Sequence, residues 1–174
     1  MGLLGKIFGR KNEDPDKVRI AILAYCYGNM MSLATSNISA FIQSFSENPT
    51  NALKARLFSA AKIRAGVDIN QGALPDITAE KIKIDNLNTI LLFNLHAYGG
   101  ASNVNGTPAI VPSFIAIVFN NSFIGEPAFF FLEPSLEVGS TMLIRAKPDG
   151  TRFNLGKGSK NNKDAFINLI IEKL

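Results

Sequence analysis

GSTMLIRAKPDGTRFNLG, from Gly139 to Gly156, is the stretch on which the fold turns. Two runs of β-compatible residues flank Pro148, Asp149 and Gly150. That trio makes a tight turn, because proline presets the first turn angle and glycine accepts a positive one. The segment therefore reads as a β-hairpin, which commits this part of the chain to antiparallel pairing.

Upstream of the hairpin the pattern stays strand-like. Glu80 to Asp85 alternates polar and apolar residues, and Thr89 to Ala97 centres on Ile90, Leu92 and Phe93. Ser113 to Phe119 follows, then a turn at Asn120 and Asn121, a short piece near Phe123, and Ala128 to Leu132, which Pro134 stops. YGGASNVNGTP, from Tyr98 to Pro108, reads as a loop by its content of Gly, Asn, Ser and Pro. The carboxylates Glu126, Glu133 and Glu137 are expected at a solvated sheet end. Connections this short exclude a doubly wound parallel sheet, whose crossovers need about a dozen residues or more.

Helical spacing brackets these strands on both sides. From Asn162 to Leu174 the apolar positions Phe166, Ile167, Leu169, Ile170 and Leu174 predict a closing helix. Near the other end, Asp14 can cap, Pro15 suits a first helical position, and Asp16 complements the dipole. Ile22, Cys26, Met30, Leu33, Ile38, Phe41 and Phe45 then predict a buried stripe reaching about Ser46, interrupted near Gly28 and Asn29. Asn48, Pro49 and Thr50 repeat the start signal for a second helix that should run to about Ala65, with Gly66 as its cap. Its outer face, with Lys54, Arg56, Lys62 and Arg64, reads as solvated. Without aromatic interleaving it gives no reason to expect nucleic acid.

Helices and strands in separate blocks indicate an α+β fold: two N-terminal helices, a mostly antiparallel sheet of four to six strands, and a C-terminal helix. A length of 174 residues fits one domain, expected over residues 15–174, preceded by an amphipathic or flexible tail at 1–14.

Charge is distributed unevenly along this chain. From Ile84 to Ile144 there is no Lys or Arg, although the 18 basic residues of the chain would place about six there at random. An uncharged, Phe-rich sheet calls for cover. Cover from a second copy predicts a non-enzymatic binding or adaptor domain that self-associates, a twofold dimer first, with Phe114, Ile117, Phe119, Phe129 and Phe131 as interface candidates. Cover from the chain's own helices on both faces is the alternative.

Catalytic equipment is sparse. Cys26 and His96 are the sole thiol and imidazole, too few for a closed zinc site, and Cys26 sits in an apolar helical run where a structural thiol is the ordinary case. No metal ligands, cofactor site or catalytic residues are assigned. A lone cysteine also forms no internal disulfide, which points to the cytoplasm.

Two segments offer alternative functions. In LGKGSKNNK, from Leu155 to Lys163, the run Gly156, Lys157, Gly158, Ser159 and Lys160 lies between a predicted strand and a predicted helix. Its backbone amides and lysines suit a phosphate or carboxylate, as in a small-molecule or anion sensor. It is not a P-loop, since Lys157 is followed by Gly158. Near the start of the chain, Leu3, Leu4, Ile7 and Phe8 lie at helical spacing among Lys6, Arg10 and Lys11, so residues 1–11 can form an interfacial membrane contact and a peripheral location. The run is too short to span a bilayer, and Lys6 occupies the position where a myristoylation signal has Ser or Thr.

Overall fold

The computed structural model describes residues 27–28, 36–60, 76–104, 107–135 and 140–174. The predicted first helix lies mostly outside them. Tyr27 and Gly28 are helical, and a short helix α1, Ile38–Gln43, begins at Asn37, whose side chain accepts from the N–H of Ala40. Asn37 therefore sets a helix start within the run expected to reach about Ser46, beyond the interruption expected near Gly28 and Asn29. Helix α2, Pro49–Ala60, starts where the Asn48 signal places it, with Asn48 Oδ1 accepting from the N–H of Asn51 at 3.0 Å. Its expected end at Ala65 falls outside the described residues.

The strands are β1 Thr78–Lys83, β2 Asn88–Asn94, β3 Gly100–Val104, β4 Thr107–Val111, β5 Phe114–Asn120, β6 Ala128–Pro134, β7 Thr141–Ala146 and β8 Arg152–Lys157; helix α3, Lys163–Lys173, follows. Six of them form one sheet in the order β1-β2-β5-β6-β7-β8, antiparallel throughout, and β3 and β4 pair separately. The architecture is α+β, as the block pattern predicts. Tyr98 to Pro108 is a correction: most of this expected loop is the two-stranded ribbon β3–β4, preceded by a 3-10 turn at His96–Tyr98.

Alternation assigns each strand two faces. On one face Leu91, Phe93, Ile115, Ile117, Phe119, Phe129, Phe131 and Ile144 pack with Phe41, Ile42 and Phe45 of the α1 region and Leu53 and Leu57 of α2. On the other, Ile90, Leu92, Phe114, Ala116, Phe130, Leu132 and Leu143 pack with Phe166 and Ile170 of α3. β5 and β6 are buried along both faces, which is why their sequences read as continuous apolar runs rather than alternating ones.

This double cover accounts for the span without Lys or Arg. A charge on either face of β2, β5 or β6 would be desolvated by the chain's own helices, a cost of several kcal/mol for an unpaired ion. The interface candidates Phe114, Ile117, Phe119, Phe129 and Phe131 are accordingly interior residues, 0–8% exposed. They contribute to this chain's core and present no open face.

Arg56 is also placed differently from expectation. Rather than standing in solvent, its guanidinium lies 4.9 Å from the ring centroid of Phe41 and 5.4 Å from that of Phe45, and it donates to Ser44 Oγ at 2.6 Å. It ties α2 to the end of α1, and burial pushes its pKa below the usual arginine value. Lys62 and Arg64 lie outside the described residues. No described helix is long and apolar enough to cross a membrane.

Candidate binding surface on the C-terminal hairpin

With both sheet faces covered, the two edge strands remain as candidate surfaces, and they differ. On β1 the outward N–H and C=O of Ala79 are both taken by one side chain: Thr50 Oγ1 accepts from the amide at 3.0 Å and donates to the carbonyl at 3.1 Å. Helix α2 thus closes that edge locally. Lys81 and Lys83 add charge farther along it, a usual way of blunting an edge.

β8 carries no such closure among the described residues, and five of its six residues are exposed, with Leu155 half-buried. The turn fixes which groups face outward. Lys147 donates its N–H to Thr151 C=O at 2.9 Å, and Gly150, with φ +90°, closes the turn to Lys147 C=O at 3.0 Å. Alternation along an antiparallel ladder then aims the N–H and C=O of Arg152 and Asn154 away from β7. Beyond Asn154 the register shifts, with Met142 opposite Lys157 but Ile144 opposite Asn154, and Gly156 at φ +95° supplies the extra residue of a bulge.

Charge gathers on this hairpin. Between residues 141 and 160 Arg145, Lys147, Arg152, Lys157 and Lys160 face a single acid, Asp149. The cations are arranged over rings: Arg145 over Phe130 at 5.7 Å, Lys147 over Phe153 at 5.7 Å, and Arg152 over Phe131 at 5.5 Å. Phe153 remains 41% exposed. Asp149 is held below the usual carboxylate range by hydrogen bonds from Thr151, and its Oδ1 accepts from the Thr151 N–H at 2.8 Å.

Glu133 was expected at a solvated sheet end. Instead its side chain is 5% exposed and forms an ion pair with Arg152, which reaches over β7 from the edge and stays half exposed. Tyr27 lies close enough for both charges to act on its phenol. Burial first, then the Glu133 charge, pushes its pKa up to about 12, with Arg152 opposing. Glu126 is exposed, and Glu137 lies outside the described residues.

The anion-binding candidates split. Gly156 and Lys157 line an open recess of about 360 Å³ with Ser135, Ser140, Thr141, Met142 and Asn154. The amides that would cradle an anion are partly committed, since Gly156 N–H donates to Asn154 Oδ1 and Gly158 N–H to Thr141 C=O, each at 2.8 Å. Thr141 Oγ1 donates to Ser159 C=O at 2.6 Å, so the segment is pinned to β7. Gly158 is required there: a Cβ would come within 2.6 Å of Leu132 Cδ1 and Thr141 Oγ1. Lys160 is exposed, and Lys163 at the start of α3 is spent on Glu80 of β1 at 2.9 Å.

His96 is exposed in its 3-10 turn and stacks on Phe114, with centroids 6.1 Å apart. Cys26 and the membrane-contact candidates Leu3, Leu4, Ile7 and Phe8 lie outside the described residues. Among the described residues no group of three or more His, Cys, Asp or Glu could hold a metal ion. Comparison of the chain with protein-family models, with curated proteins and with solved structures gives no match.

Proposed function

We propose that this chain is a non-enzymatic protein-binding domain that takes an extended, acidic polypeptide segment along β8. The observation that carries the reading is the contrast between the two sheet edges. Ala79 on β1 has its outward groups closed by Thr50, whereas Arg152 and Asn154 on β8 turn theirs outward among five basic residues.

An added strand gains affinity from main-chain hydrogen bonds and specificity from alternate side chains. Carboxylates on the incoming segment meet Arg152 and Lys157 on the edge, and an apolar residue meets exposed Phe153. A second copy of the chain is a poorer occupant. Antiparallel pairing of two β8 strands brings two Arg152 and two Lys157 together with no acid on either strand to offset them, and like charges repel. The adaptor role foreseen in the sequence is kept, but its surface moves from the sheet face to the sheet edge.

The test is a titration with a labelled peptide of alternating Val and Glu, followed by anisotropy, with a Val and Lys peptide as control. Binding of the acidic peptide that weakens with salt and is lost in Asn154→Pro supports the reading. Proline at an outward-facing edge position removes a donor while leaving the β7–β8 backbone ladder, and gives up the side-chain bonds of Asn154 to Gly156 N–H and Met142 Sδ. Equal binding of both peptides, or binding indifferent to Asn154→Pro, counts against it.

A further inference from the structure

A second recess, of about 370 Å³, opens on the α1–α2 side of the sheet at the turn end of the hairpin, between Tyr27 and the Lys147–Arg152 segment. We propose that it binds a small amphipathic carboxylate, one with a compact apolar body and a single carboxylate group.

Its volume falls in the range of small-ligand pockets, and its lining has their usual character of an apolar base with a few convergent polar groups. Phe129, Phe131 and Ala146 supply the apolar part, and Tyr27 and Arg152 supply donors, while the Lys147 ammonium lies over Phe153. Arg152 is set for the anionic end. Glu133 engages its Nη2 and the ring of Phe131 lies under its plane, which fixes the guanidinium while leaving its other N–H groups for a second acceptor.

The Tyr27 phenol stands beside this pair and, with a pKa raised to about 12 by burial, stays protonated at neutral pH as a hydrogen-bond donor. Net charge alone does not select the ligand. Glu133 offsets Arg152, and at the rim Asp149 offsets Lys147. Selection therefore rests on donors: guanidinium and phenol both favour an acceptor over an ammonium group, and a charged acceptor over a neutral one. The recess lies on a sheet face, apart from the outward backbone of β8, and shares only the Arg152 side chain with the edge.

The experiment titrates the 15N-labelled full chain with 3-phenylpropanoate, 3-phenylpropan-1-ol and 3-phenylpropylamine. Shifts at Lys147 to Arg152 with the carboxylate are expected, with the alcohol and amine at least about fivefold weaker. Tyr27→Phe keeps the ring and the fold and should weaken the carboxylate by about three- to tenfold, the loss of one hydrogen bond. Asn154→Pro should leave carboxylate binding unchanged, which separates this site from the edge. Absence of shifts at millimolar carboxylate, equal affinity for the three probes, or an unaltered Tyr27→Phe variant would overturn the assignment.

Discussion

Thr50 and Ala79 form a closed pair in which one hydroxyl satisfies both outward backbone groups of an edge-strand residue, at 3.0 and 3.1 Å. Through it the first turn of α2 takes the place of a further strand at β1. The opposite edge, at β8, has a bulge and basic side chains in place of such a closure.

Replacement of Thr50 by Val keeps the shape and removes the hydroxyl. A part-buried amide and carbonyl are left without their partner, so a loss of about 1–2 kcal/mol is expected. Urea unfolding with an unchanged m-value checks it.

The Glu133–Arg152 pair should respond asymmetrically. Arg152→Ala leaves a nearly buried carboxylate unpaired and is expected to cost about 2–4 kcal/mol, whereas Glu133→Gln leaves a half-exposed guanidinium that water can solvate and should cost less. Denaturant midpoints of the two variants decide the order.

Phe166 of α3 is 0% exposed and stacks on Phe114 with centroids 5.5 Å apart. Phe166→Ala should cost about 3–5 kcal/mol. Because α3 covers the second sheet face largely through this residue and Ile170, the same change should raise dye binding to exposed apolar surface.

Alkaline pH provides a separate check on Tyr27. Its folded pKa, about 12, lies above the ordinary tyrosine value of 10.0, so the protonated phenol is the form that the fold favours. The corresponding stability is fully present below about pH 10 and is lost as pH rises toward 12, to a total of about 2–3 kcal/mol. Tyr27→Phe should flatten this part of the stability curve measured by denaturant unfolding across alkaline pH.

Much of the fold is legible in the sequence where the signal is local. Pro148, Asp149 and Gly150 mark the hairpin, Asn48 and Pro49 mark the start of α2, and the spacing of Phe166 and Ile170 marks α3. The β3–β4 ribbon was hidden because small polar residues outweigh pattern in Tyr98 to Pro108, although Asn105-Gly106 is a strong hairpin dipeptide that could have found it.

Non-local features were not legible. Glu133 looks solvent-facing beside Pro134, and only the pairing of β6, β7 and β8 brings Arg152 to it. A Phe-rich span without Lys or Arg is likewise equally consistent with cover by a partner and cover by the chain's own helices. Phe129 and Phe130 show which applies, since adjacent residues point to opposite faces and both are buried.

The most direct measurement of the central claim is a 1H–15N correlation titration of the full chain with the alternating Val and Glu peptide. Shifts and hydrogen-exchange protection gained at the amides of Arg152 and Asn154, with none at Ala79, are the predicted result. Protection gained at β1, or an unchanged β8 at saturating peptide, would contradict it.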